Sequence, residues 1–226
     1  MPKPACDPTG SAADFLPSVL KLPILAKAAK SCRGCGIYCN ATQTVFGEGP
    51  PDAACMFVGE QPGDQEDLAG KPFVGPAGRV LDEALEQAGV ERDGVYVTNA
   101  VKHFKWEPRG KRRLHAKPSA REIAACRPWL EAEIQVVKPK IIVCLGATAS
   151  QSLMGSKFRL TQHRGEILEG TGWAEGVLAT VHPSSLLRMP DAEARREARE
   201  QFVGDMKLVA KWMRKAGTKA RSHEGT

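Results

Sequence analysis

Four short β-rich runs recur along the chain: "ACMFVG" (54–59), "VYVTNAV" (95–101), "KIIVCLG" (140–146) and "VLATV" (177–181). Helical patterns lie between them, and this alternation constrains the fold more than any other feature. "PAGRVLDEALEQAG" (76–89) carries apolar residues at 80, 81, 84, 85 and 88, with Gly89 as a stop. "SAREIAACRPWLEAEIQVVK" (119–138) opens with Ser119 and Glu122 at capping-box spacing. Residues 191–215 read as a charged, amphipathic final helix. Strands separated by helices imply a parallel sheet covered on both faces. The expectation is an α/β fold: one three-layer αβα sandwich with a central four-stranded parallel sheet, filling 14–215. Residues 1–13 and 216–226 read as disordered tails.

In such sheets ligands bind beyond the carboxyl ends of the strands. The segments there are "GEQPGDQED" (59–67), "TNAVKHFKW" (98–106), "GATAS" (146–150) and "VHPSSLLR" (181–188). They hold much of the chain's polar, glycine-bearing and histidine-bearing sequence. Neither the dinucleotide fingerprint nor the phosphate loop occurs, so nucleotide-cofactor chemistry has no support. Glu60 follows the first run directly, where a carboxylate can position a water or orient a histidine.

The net charge is +6, moderate enough that its distribution matters more than its size. From Lys102 to Lys117 there are seven Lys/Arg and one acid, Glu107. That internal run, densest in "GKRRLH" (110–115), is an electrostatic footprint for nucleic-acid phosphate. The bland reading of His115 at its end is a phosphate neighbour in a solvated loop. No stretch approaches the about 20 apolar residues of a membrane span. The N-terminus lacks the order of a secretory signal. A cytoplasmic protein with no membrane association is expected.

Seven cysteines are present: 6, 32, 35, 39, 55, 126 and 144. An odd number argues against a disulfide framework and for metal or buried thiols. Cys55 and Cys144 sit in apolar runs and read as core. "CRGC" (32–35) is a C-x2-C pair that needs two further ligands. Candidates are His103 and Cys126, with Cys39 as a competitor. Spacing alone leaves tetrahedral zinc and an iron–sulfur cluster equally open.

"GEQPGDQEDLAGKPFVGPAGRVLDEAL" (59–85), "VYVTNAVK" (95–102) and "HPSSLLR" (182–188) resemble the iron–sulfur uracil-DNA glycosylases of bacteria and archaea. The resemblance covers about 30–212. A cysteine is usual in that family where this chain has His103, and a basic insertion ending in "KRRLH" follows. Both departures resemble the UdgX branch, which typically shows "KRRIH". The resemblance implies a 4Fe–4S cluster on Cys32, Cys35, His103 and Cys126. It implies a protein that acts on uracil-containing DNA, binds the uracil and becomes bonded to the sugar it leaves; a monomer acting on single-stranded DNA is expected.

Base excision requires a flipped base read in a pocket. On this reading Asn99 accepts uracil N3–H and donates to O4, which leaves cytosine mismatched. Phe73 stacks on the base, and Gln61 and Asp64 line the pocket by side chain or backbone. His182 donates to O2 as charge develops. Ser184, Ser185 and Arg188, with Lys111, Arg112 and Arg113, contact phosphates. His115 is the nucleophile at C1′, its neutral form favoured by the neighbouring cations. Two alternatives remain: a hydrolytic glycosylase in which water attacks and His115 only contacts DNA, and a non-catalytic metal-containing nucleic-acid binder.

Overall fold

The computed structural model describes residues 6–221. In chain order the elements are α1 (Leu22–Ala29), β1 (Cys55–Gly59), α2 (Asp64–Ala69), α3 (Pro76–Ala88), β2 (Tyr96–Asn99), β3 (Trp106–Arg109), β4 (Arg112–His115), α4 (Ala120–Val137), β5 (Ile141–Leu145), α5 (Ala147–Met154), α6 (Leu160–His163), β6 (Ile167–Leu168), β7 (Gly176–Thr180), α7 (Pro183–Leu187) and α8 (Ala192–Arg221). The four expected strands form a parallel array in the order β2-β1-β5-β7. A fifth strand corrects the four-stranded expectation: β6 pairs antiparallel with β7 at the edge. At two residues it is too short to carry a periodic signal.

Side-chain alternation divides the core between the two sheet faces. Cys55 and Phe57 of β1, with Ile141, Val143 and Leu145 of β5, pack with Leu81 and Leu85 of α3 and Phe202 and Met206 of α8. Met56 and Val58, with Ile142 and Cys144, pack with Leu130 and Ile134 of α4 and with Leu153 of α5. Layers of helix, sheet and helix result. No helix among the described residues is long and apolar enough to cross a membrane.

The N-terminal segment departs from the expected tail. Backbone N–H groups of Thr9 and Gly10 donate to the carbonyls of Arg33 and Gly34. Ser11 caps a 3-10 turn at Ala12–Phe15, and Ala12 is buried. A Cβ on Gly34 would lie 2.6 Å from the Ala12 nitrogen, so this approach needs glycine. The partner is remote in sequence, so local composition gave no sign of it. Residues 1–5 lie outside the described residues. At the other end α8 continues as helical backbone to Arg221, beyond the expected boundary, and 222–226 lie outside the described residues.

A buried ion pair braces the chain between β2 and α4. Lys102 Nζ lies 2.5 Å from Glu133 Oε2, with both side chains at 0% exposure. The ammonium also donates to Thr98 Oγ1 at 2.6 Å and to the Asn99 carbonyl at 2.7 Å. Glu133 Oε1 accepts from Tyr96 OH at 2.9 Å and from the Gly47 N–H at 3.0 Å. Removing one partner leaves an uncompensated buried charge, which costs about 3–5 kcal/mol. Glu133→Ala is therefore expected to lower the unfolding midpoint by roughly 6–20 °C, using about 2–4 °C per kcal/mol for a domain of this size. Thermal melting followed by circular dichroism measures it, and a shift under a few degrees contradicts the account.

Candidate active site

The carboxyl ends of β1, β2, β5 and β7 open into a cavity of about 700 Å³. Its lining includes Glu60, Gln61, Asp64, Phe73, Asn99, His115, Thr148, His182, Ser184 and Arg188. Four sequence segments from separate strand ends thus converge, as the parallel arrangement requires.

Asn99 ends β2 opposite Gly59 of β1 and is 3% exposed. Among the described residues its side-chain amide has no hydrogen-bond partner, and Asn99 lines the cavity. A Cβ on Gly59 would collide with Asn99 Oδ1 and the Phe73 ring, so glycine there lets both approach. Phe73 has φ 56°, a conformation costly for a bulky residue and concentrated at functional sites. It belongs to the core and also lines the cavity. Gly78 accommodates its strained backbone, since a Cβ there would meet the Phe73 carbonyl. The Phe73 and His182 rings lie 6.3 Å apart, inclined at 27°.

His182 caps α7: its Nδ1 accepts the Ser184 N–H at 3.2 Å and sits 2.9 Å from Ser184 Oγ. With Nδ1 accepting, the ring proton resides on Nε2, so the neutral imidazole remains a donor. Burial pushes its pKa down to about 4, against the Glu60 charge that raises it. Ser185 Oγ donates to the His182 carbonyl at 2.7 Å. Both serine hydroxyls, expected to meet phosphates, are engaged in this turn. Arg188 stays exposed at the cavity rim.

The basic segment is a hairpin rather than a loop. β3 and β4 pair antiparallel, setting Trp106 opposite His115, with Gly110 at φ 59° in the turn. Lys111 and Arg112 project at the exposed tip. Arg113 is occupied: it donates to Asp64 Oδ1 at 2.6 Å and Asp67 Oδ2 at 2.5 Å, its guanidinium over the Phe104 and Trp106 rings. It fastens the hairpin to α2 and uses Asp64 to do so. Gln61 serves the same end. Its Nε2 donates to the Lys105 and Ala116 carbonyls, and its Oε1 accepts the Lys105 N–H at 3.0 Å. Its side-chain amide is thus engaged within the protein at both ends.

This clamping brings His115 Nε2 to 3.2 Å from Glu60 Oε1, with the imidazole 48% exposed at the cavity mouth. Glu60 Oε2 accepts from the Thr148 hydroxyl. Burial raises the Glu60 pKa, but hydrogen bonds from His115 and Thr148, with the attraction of either His115 or His182 when protonated, outweigh it and hold the carboxyl below its usual range. Thr148 was not singled out in the sequence, although "GATAS" lies at a strand end. A threonine in the first turn of a helix carries no distinguishing signal. Glu66 was missed too. Its carboxylate accepts the N–H of Gly63 at 3.1 Å and of Gly75 at 2.7 Å, tying together two cavity loops.

Behind the hairpin, Cys32, Cys35 and Cys126 are buried in one cluster. Trp129 Nε1–H donates to Cys32 Sγ, and the Lys102 N–H to Cys126 Sγ, both at 3.2 Å. Burial raises the Cys35 pKa and pushes that of Cys126 up to about 12, with the neighbouring thiols adding to both. Buried His103, its pKa pushed down to about 4 by burial, has Nε2 2.9 Å from Thr44 Oγ1. Holding one ring nitrogen in this way is how ligating imidazoles are oriented. Cys39, the competing ligand, is joined instead to Cys6 in a disulfide, a pairing the odd cysteine count did not suggest. Among the described residues no three His, Cys, Asp or Glu are arranged to hold a single ion. A tetrahedral ion needs its donors converging within about 2.3 Å, whereas a four-iron cluster spreads its ligands over separate irons. Buried thiols with N–H donors to sulfur and an oriented neutral imidazole suit the cluster's chemistry better.

The sequence profile of the uracil DNA glycosylase superfamily matches residues 46–207. The chain is 38% identical over 191 residues to a type-4 uracil-DNA glycosylase of Thermotoga maritima, covering 84% of this chain and 95% of the relative. It is 34% identical over 191 residues to that of Archaeoglobus fulgidus (82% and 89%) and 39% over 168 residues to that of Sulfurisphaera tokodaii (71% and 73%). The chain belongs to the uracil DNA glycosylase superfamily.

Proposed function

We propose that this protein excises uracil from DNA and, in the manner of the UdgX branch, captures the resulting sugar through His115. The observation that carries the capture is the 3.2 Å approach of His115 to Glu60 inside the cavity that also holds Asn99, Phe73 and His182. Asn99 reads the base through its unpartnered amide, Phe73 stacks on it, and backbone at Gln61 and Asp64 borders it. His182, neutral and with its proton on Nε2, donates to O2 as the C1′–N1 bond breaks and negative charge moves onto uracil. Lys111 and Arg112 at the hairpin tip and Arg188 at the rim hold phosphates. The main chain at Ser184 and Ser185 remains near that rim, their hydroxyls being occupied.

As uracil leaves, C1′ becomes an electrophile. The His115 ring nitrogen that bears the lone pair bonds to it, giving an alkylated imidazolium. The proton on the other ring nitrogen passes to Glu60, leaving a neutral alkylimidazole, a poor leaving group. Each molecule then acts once. Positioning of this kind lowers a barrier by about 7–11 kcal/mol. Single-stranded uracil-containing DNA run on a denaturing gel tests the proposal. A heat-stable shifted band supports it. Alkali-sensitive breaks without such a band support ordinary hydrolysis, and intact DNA supports mere binding.

Cys32, Cys35, His103 and Cys126 would hold the 4Fe–4S cluster. Held by these residues, it would join the N-terminal segment, the chain after β2 and α4. Cys32→Ser or Cys126→Ser is expected to abolish the brown colour and nearly all soluble protein. Cys55→Ala and Cys144→Ala, which alter only the sheet core, keep the colour. Sulfide and iron analysis of the purified proteins checks this, and one bound zinc in a colourless wild type contradicts it.

A further inference from the structure

The Glu60 carboxylate has two oxygens with different partners on different elements. Oε1 faces His115 at the end of β4, and Oε2 takes the hydroxyl proton of Thr148, the second residue of α5. Thr148 is 4% exposed and lines the same cavity. It is held there because Gly146, directly after β5, has a φ of 92° that turns the chain into α5. A Cβ on Gly146 would press on His182 Cβ at 3.0 Å, so α5 starts wedged between Glu60 and His182. A hydroxyl donating to a carboxylate favours its charged form and decides which oxygen remains for the second partner.

We propose that Thr148 is a positioning residue for the capture step, fixing Glu60 with one oxygen presented to His115, so that it governs how the excised sugar divides between His115 and water. The inference rests on the reading of His115 as the nucleophile. Capture forms the bond from a ring nitrogen to C1′ while the C1′–N1 electron pair leaves with uracil. It becomes durable when the remaining imidazolium proton moves to Glu60, which ends as the neutral acid. Only an ionised, correctly turned carboxylate accepts that proton. Without the Thr148 hydroxyl, the alkylated imidazolium persists longer and reverts, leaving the sugar to water.

The titratable side chains facing Glu60 are His115 from β4 and His182 at the start of α7; both lower its pKa, as does Thr148, against the burial that raises it. Deleting the hydroxyl removes one lowering contribution. The Glu60 pKa rises, the ionised form appears only at higher pH, and the acid limb of capture moves to higher pH.

The test compares full-length wild type, Thr148→Val and Thr148→Ser on a uracil-containing single-stranded oligonucleotide across a pH series. Shifted band and alkali-cleaved strand are quantified on the same gel. Valine keeps the shape and removes the donor; serine keeps the donor. The Thr148→Val ratio of adduct to free abasic product is expected to fall roughly tenfold, the scale of a lost hydrogen bond to a charged group. Its acid limb should move to higher pH, and serine should restore both. Thr148→Ala, which removes the hydroxyl without bulk, must repeat the valine result. An adduct band in wild type that Thr148→Val leaves unchanged in ratio and pH profile overturns this inference alone. So does a serine variant as impaired as valine, which would make the role one of packing. A wild type that gives free abasic DNA and no shifted band overturns the nucleophile reading and this inference with it.

Discussion

Asn99→Ala abolishes uracil excision and leaves DNA affinity nearly unchanged: this is the first large effect expected. Asn99 is almost wholly buried, ends β2 beside Gly59 and lines the cavity, its side-chain amide unpartnered among the described residues. The Lys102 ammonium holds the Asn99 carbonyl at 2.7 Å, so this residue stands on a fixed backbone. Sites built to hydrogen-bond a substrate discriminate by about 10⁴–10⁵ when the pairing is lost. A fall in single-turnover uracil release of about 10⁴-fold is therefore expected. Affinity comes mainly from phosphates, which Asn99 does not approach. Fluorescence anisotropy with labelled DNA supplies that half of the measurement. An alanine variant that releases uracil at the wild-type rate contradicts the assignment.

His115→Gly changes the kind of product. The imidazole is removed from the cavity mouth, while Gln61 and the Arg113 pairs with Asp64 and Asp67 still clamp the hairpin. Asn99, Phe73 and His182 remain in place, so uracil still leaves. The vacated space admits water beside Glu60, and a carboxylate with one hydrogen-bonded oxygen can serve as its base. The covalent band is expected to fall by at least about a hundredfold, the loss of a positioned nucleophile being costly. Alkali-labile abasic DNA should replace it. His115→Ser should behave alike. Retention of the heat-stable band by either variant rules out His115 as the point of attachment.

Much of this architecture was legible because it rests on local regularities. Four apolar runs announced the parallel strands, and the rule that ligands meet their carboxyl ends pointed to Glu60, Asn99 and His182. What escaped depends on partners remote in sequence. "KWEPRGKRRLH" is charged on both faces and shows no alternation, so only Gly110 hinted at a hairpin. Its three successive cations looked equivalent; the fold neutralises Arg113 with two aspartates from α2 and leaves Lys111 and Arg112 at the tip. Gln61 and Ser184 read as ligand contacts because of where they fall, yet their side chains are spent within the protein. The pairing of Cys6 with Cys39, and of Thr9 and Gly10 with the "CRGC" loop, likewise joins distant segments without local warning.

The most direct test of the central claim is to digest the wild-type adduct with protease and nuclease and locate the added sugar by tandem mass spectrometry. The expected result is one modified peptide from the hairpin, with the added mass on the imidazole of His115 and none on Glu60, Lys117 or His182. Attachment at any other residue, or complete conversion to free abasic DNA with unmodified protein, contradicts the account.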